Sequence, residues 1–171
     1  MRNRTGLTVL AIGLIAGTLD IGENLIFNQL RGVAPWAVFQ YIASGLIGVG
    51  AFQSGLASVG LGVVLHYLIA LFWTALFYVA SLKLATMREH AVLCGLIYGG
   101  IIYLFMNIVV LPVSLVPHAT HPMSAASIVN GVLALMLCIG VPVSVLTSRL
   151  LTNGRRKKVV MQFPRRLDIL L

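Results

Sequence analysis

Trp36-Ala-Val-Phe-Gln-Tyr-Ile-Ala-Ser-Gly-Leu-Ile-Gly-Val-Gly50 is the stretch on which the fold turns. It is apolar but only about 15 residues long, and a helix needs about 20 to cross the hydrocarbon of a bilayer. Pro35 suits a first helical turn, because the N–H it lacks is one that a helix start leaves unpaired. Gln40, Tyr41 and Ser44 place polar groups among the apolar ones. The stretch is therefore either a short interfacial or re-entrant helix over about 35–50, or a fifth span.

The segments on either side are longer. The chain of 171 residues is 59% hydrophobic and 9% charged, whereas soluble domains carry about 25% charged residues. Apolar runs predict transmembrane helices over about 6–30, 57–80, 90–113 and 124–147. They are too long and too uniform for the alternating strands of a β-barrel. Positive charge collects on the cytoplasmic side of a membrane protein. With four spans, Arg2, Arg4, Lys83, Arg88 and every basic residue from Arg149 onward share one side, and only Arg31 lies opposite. With five spans, no orientation puts all the basic clusters together. The expected fold is thus all-α, a polytopic bundle of four transmembrane helices plus one short interfacial or re-entrant helix. Residues 1–148 form the bundle and 149–171 a basic cytoplasmic tail. Both termini are expected to face the cytoplasm. Arg2 and Arg4 could also open a signal peptide, but Ala16-Gly-Thr18 is a poor cleavage site and the helical pattern runs on to Leu30.

The net charge is +8. Arg155, Arg156, Lys157, Lys158, Arg165 and Arg166 suit a tail lying on anionic lipid. No aromatic interleaving or nucleic-acid motif accompanies them, so nucleic acid is not an expected partner. Cys94 and Cys138 sit inside apolar runs and read as small buried residues. His118 and His121 are spaced for a metal, but further ligands are missing, so no metal and no cofactor are expected. No nucleophile motif or nucleotide-binding glycine loop appears, and an enzyme is the least favoured class.

The chemistry is concentrated in Ala16-Gly-Thr-Leu-Asp-Ile-Gly-Glu-Asn24. A charged group near a bilayer centre costs about 2.5–3.5 kcal/mol on insertion scales, so Asp20 and Glu23 need a partner or water. Helix rise converts position into depth. Asp20 and Tyr103 lie about 15 Å, and His66 about 13–14 Å, below the outer ends of their helices. Asn24, Asn107 and Asn130 form a second level at about 9 Å. Gly13, Gly17, Gly62, Gly95 and Gly99 lie on the same faces, and small residues let helices approach closely. Pro142 is expected to kink the last span. The expected site is a polar pocket, a proton or solute site made of Asp20, His66, Glu23, Asn24, Tyr103, Asn107 and Asn130. The competing expectation is a polar clamp that only holds the helices together.

The chain resembles the YagU-like family of small bacterial inner-membrane proteins. The resemblance rests on Ala16-Gly-Thr-Leu-Asp20, Phe39-Gln-Tyr-Ile-Ala-Ser-Gly-Leu46 and Gly62-Val-Val-Leu-His-Tyr-Leu-Ile-Ala70. It continues through Tyr98-Gly99 and Met106-Asn107 into Leu111-Pro-Val-Ser114. It implies a multi-span inner-membrane protein with a loose association with acid resistance, no established reaction and no assigned catalytic residues. The functional expectation is a proton-linked or pH-responsive transport or channel element centred on Asp20 and His66. Four spans are few for a transport path, so a homo-oligomer is expected. The alternative is a non-catalytic scaffold or accessory subunit whose glycine faces bind another membrane protein.

Overall fold

The computed structural model describes residues 2–117 and 123–162, with side chains for 5–117 and 123–152. His118 and His121, and the tail cations Arg165 and Arg166, lie outside the described residues, as do the side chains of Arg155, Arg156, Lys157 and Lys158. Among the described residues the chain is helical and without strands. α1 (Arg2–Leu30) is followed by α2 (Pro35–Ile47), which a 3₁₀ turn at Gly48–Phe52 extends. α3 (Gly55–Lys83) and the single turn α4 (Thr86–Glu89) lead into α5 (Ala91–Phe105). A π-helical turn, Met106–Val110, joins α5 to the short α6 (Leu111–Val113). α7 (Ala125–Ala134), a second π turn at Leu135–Gly140 and α8 (Val141–Gln162) close the chain. α8 runs past the expected end at 147 into the basic tail, where Arg and Lys are themselves good helix formers.

Five helices are long and apolar enough to cross a membrane: Thr5–Leu30, Pro35–Phe52, Gly55–Lys83, Ala91–Val113 and Ala125–Thr152. The second reaches this length only through its 3₁₀ extension, at 18 residues. The outer surface is apolar. Leu56, Leu68, Phe72, Ile97, Ile108 and Val113 are all exposed. A soluble monomer rarely shows so large an apolar surface, and these faces are compatible with a membrane protein.

The order of contacts along the helices fixes their directions. Gly13 lies against Leu71 and Thr74, and Gly17 against Ala70 and Tyr67, so α1 and α3 run antiparallel. Phe77 stacks edge-on against Tyr98, and Trp73 against Phe105, so α3 and α5 are antiparallel. Gly95 meets Gly140 and Ser144, while Gly131 meets Tyr103, so α5 runs antiparallel to α7 and α8. α2 lies between the C-terminus of α1 and the N-terminus of α3. Pro35 opens it and Gly48, in the left-handed region at φ 64°, closes it. Its Phe39 backbone lies against Gly62, where an added Cβ would overlap the Phe39 carbonyl. Farther along, the Leu115 N–H donates to the Gly45 carbonyl at 3.0 Å.

At the Lys83 end, Arg88 turns back onto α3. Its guanidinium donates to the Ser81 and Leu82 carbonyls, which a helix C-terminus leaves unpaired. Ser148 of α8 donates to the Arg88 carbonyl at 2.8 Å. The core sits between these ends and is built from Ile12, Ala16, Ala70, Trp73, Phe77, Ile102, Ile139 and Val143.

Candidate functional site

Above that core, toward the Leu30 end, the helices part around a cavity of about 460 Å³. This lies within the range of about 300–1,000 Å³ usual for small-molecule sites. α1 contributes Asp20 and Asn24, α3 contributes His66, and the α5 region contributes Tyr103 and Asn107. Tyr41 of α2 and Gly131 of α7 complete the wall. Five of the polar residues that depth along the helices grouped into two levels thus border one space.

The sixth, Asn130, does not line it, and neither does Glu23, the other expected site residue. Asn130 is half-buried on α7, one residue before Gly131. Glu23 is one turn beyond Asp20, and its Oε2 is buried without a hydrogen-bond partner. Cys138, in the second π turn, lies within electrostatic reach of both Asp20 and Glu23. No group of three His, Cys, Asp or Glu among the described residues is placed to hold a metal ion.

Each side chain is held differently. His66 Nε2 donates to the Gly17 carbonyl at 2.8 Å. A carbonyl can only accept, so Nε2 carries the proton and Nδ1 is the ring atom left over. This bond ties α3 to α1 at the point where Gly17 lets them approach. Thr18 and Tyr67 hydroxyls meet beside it at 2.9 Å. Asn107 donates its amide to the Tyr103 carbonyl at 2.8 Å, and Asn28 donates to both the carbonyl and Oδ1 of Asn24. Asp20 has no hydrogen bond or ion pair among the described residues, and none joins it to His66. The two groups share a cavity, and the direct partner of the ring is backbone.

Two π turns border the cavity, and both have the same origin. Met106–Val110 directly precedes Leu111-Pro112, and Leu135–Gly140 directly precedes Val141-Pro142. The proline ring crowds the carbonyl four residues back and offers it no N–H. The helix widens instead: the Leu111 N–H reaches the Met106 carbonyl and the Val141 N–H reaches the Met136 carbonyl, each five residues back. The expected kink at Pro142 is therefore taken up as a π turn, a feature that recurs at functional sites. The signal was in the sequence, as Met106-x-x-x-x-Leu-Pro-Val-Ser114 and Met136-x-x-x-x-Val-Pro-Val-Ser144.

The cavity is closed toward the Lys83 end by aromatic packing. Trp73 and Tyr98 meet edge-on at 6.0 Å, Phe77 and Tyr98 at 4.9 Å. The Tyr98 hydroxyl donates to the Trp73 carbonyl at 2.7 Å. Tyr98→Phe is expected to lower stability by about 0.6 kcal/mol, the average for such bonds in membrane bundles. Thermal unfolding in detergent measures this, and a change several times larger would mean that the hydroxyl holds more than this one bond. Family models, curated proteins and solved structures provide no match to the chain.

Proposed function

We propose that the chain is a four-span inner-membrane protein, with α2 as a re-entrant helix, and that its cavity is a proton-linked site for a small solute. The observation that carries the functional reading is the single cavity joining Asp20, Asn24, His66, Tyr103 and Asn107 from separate helices. An unpaired carboxylate beside a histidine in an otherwise apolar bundle is costly, and such groups mark proton and solute paths. The resemblance to YagU-like proteins is compatible with this reading and assigns no role to these residues.

The antiparallel pairing of α1 with α3 supports the four-span arrangement. It brings the end of α1 and the start of α3 to one side of the bundle, and α2 begins and ends there. Lys83, Arg88 and Arg149 then face the cytoplasm and Arg31 the opposite side, as the distribution of positive charge favours. The scaffold reading is less well served. Gly13, Gly17, Gly62, Gly95 and Gly99 are all buried within the chain, so those faces meet its own helices.

Two measurements test the proposal. Reporters fused after Leu151 should read cytoplasmic, and a cysteine placed at the exposed Gln53 should react with an impermeant reagent from outside. A C-terminus on the outer side would restore the five-span arrangement. For function, purified protein in liposomes should pass protons or solute in a pH-dependent way between about pH 5 and 8, where histidine titrates. Liposomes as tight as protein-free ones would remove the transport reading.

A further inference from the structure

The same cavity carries information about what it would bind, and this inference rests on reading it as a ligand site. Among the described residues no Lys or Arg lines it, and its one carboxylate is Asp20. Glu23 adds a second acid one helical turn away, with a buried oxygen that accepts no hydrogen bond among the described residues. An anionic ligand would find no positive side chain there among the described residues. The polar groups left over are the Asp20 carboxyl and His66 Nδ1 as acceptors, with the Tyr41 and Tyr103 hydroxyls and the Asn24 amide able to donate. Asp20 is without a partner among the described residues, and Asn107, with one N–H on the Tyr103 carbonyl, keeps its oxygen and its second N–H.

A bare metal ion does not fit these walls. Hard cations take six or more oxygen ligands, and the cavity is mainly apolar. Tyr41, Trp73 and Tyr103 instead present aromatic rings, whose faces attract organic cations. We infer that the cavity binds a lipophilic organic cation, an amine or quaternary centre on an apolar body, with its charge at Asp20 and its body against the aromatic wall.

The test uses the full-length protein in detergent and two probes of matched shape and opposite charge, tetraphenylphosphonium and tetraphenylborate. Equilibrium dialysis should show saturable binding of the cation and none of the anion. Asp20→Asn should weaken cation binding roughly tenfold or more, the scale of losing a charged partner in a desolvated site. Asp20→Glu should keep most of it. Equal binding of both probes, or unchanged binding by Asp20→Asn, overturns the inference. So does a co-purified neutral lipid that the cation does not displace. If Asp20→Asn fails to fold, the comparison of the two probes on the wild-type protein still decides. Proton flux in liposomes separates this inference from the function it rests on. Flux without cation binding removes the ligand class and leaves the proton-linked reading. Cation binding without flux supports the ligand class and removes the transport reading.

Discussion

Gly95→Val is expected to destabilise the folded bundle strongly. A Cβ at Gly95 would overlap the Ser144 hydroxyl and stand 2.7 Å from the Gly140 carbonyl oxygen. Ser144 can rotate, but the carbonyl is backbone and has nowhere to go. The contact is reciprocal, since a Cβ at Gly140 would overlap the Gly95 carbonyl. Valine adds two further carbons at this point. α5 and α8 would have to separate, and with them Val143 and Ile102, which are buried against each other's helices in the core. Overpacking usually costs 1–3 kcal/mol, and a clash between backbones belongs at the upper end, about 3 kcal/mol. The variant should unfold at a clearly lower temperature in detergent and become more sensitive to protease. Gly60→Ala is the control. Nothing lies within 4 Å of a Cβ there, and α3 continues on both sides. It should be neutral or raise stability by up to about 1 kcal/mol, the helix preference of alanine over glycine. A Gly95→Val protein as stable as wild type would mean that the α5–α8 contact is not as close as described.

This contact also shows what kind of information the sequence holds. The spacing of Gly95 and Gly99 marks a close helix approach, but spacing does not name the partner. That Gly95 meets Gly140 is a matter of tertiary placement. The same holds for His66. Its depth puts it level with Asp20, and the structure places both on one cavity, yet its hydrogen bond goes to the Gly17 carbonyl. Backbone acceptors are invisible to any pattern of side chains. Asn130 shows the limit of depth alone. Its level matches Asn24 and Asn107, but Gly131 is the residue that lines the cavity. Along a helix a step of one residue turns the side chain by about 100°, so a correct level can still point elsewhere. α2 was the hardest element to read because its place depends on Gly62 admitting the Phe39 backbone. Its contribution of Tyr41 to the wall follows from that contact and from nothing local.

The second large effect is expected at Asp20 and His66. Asp20 has no partner among the described residues and is the only carboxylate that lines the cavity among them, so Asp20→Asn removes that carboxylate while keeping the size and much of the hydrogen-bonding capacity. pH-dependent flux in liposomes should fall at least about tenfold, equivalent to 1.4 kcal/mol. His66 has two separable parts. Its Nε2–H ties α3 to the Gly17 carbonyl, and the ring titrates. Gln at this position keeps an N–H donor and loses the titration, whereas Ala loses both. If proton binding at His66 matters, His66→Gln should change the pH profile with little change in thermal stability, and His66→Ala should lower both. The other ionisable groups around Asp20 are Glu23 on α1, Tyr41 on α2, Tyr67 on α3, Tyr103 on α5 and Cys138 beyond α7. None of these described residues is a histidine, so a profile altered between about pH 5 and 8 by His66→Gln points to the Asp20–His66 pair. Because the two groups border one space, their titrations should be coupled, and the double variant Asp20→Asn with His66→Gln should be less than additive. Single variants that both keep the wild-type profile would sink the proton-linked reading. Unchanged flux with reduced thermal stability in His66→Ala alone would leave the histidine as a clamp between α1 and α3, holding the cavity open without taking part in its chemistry.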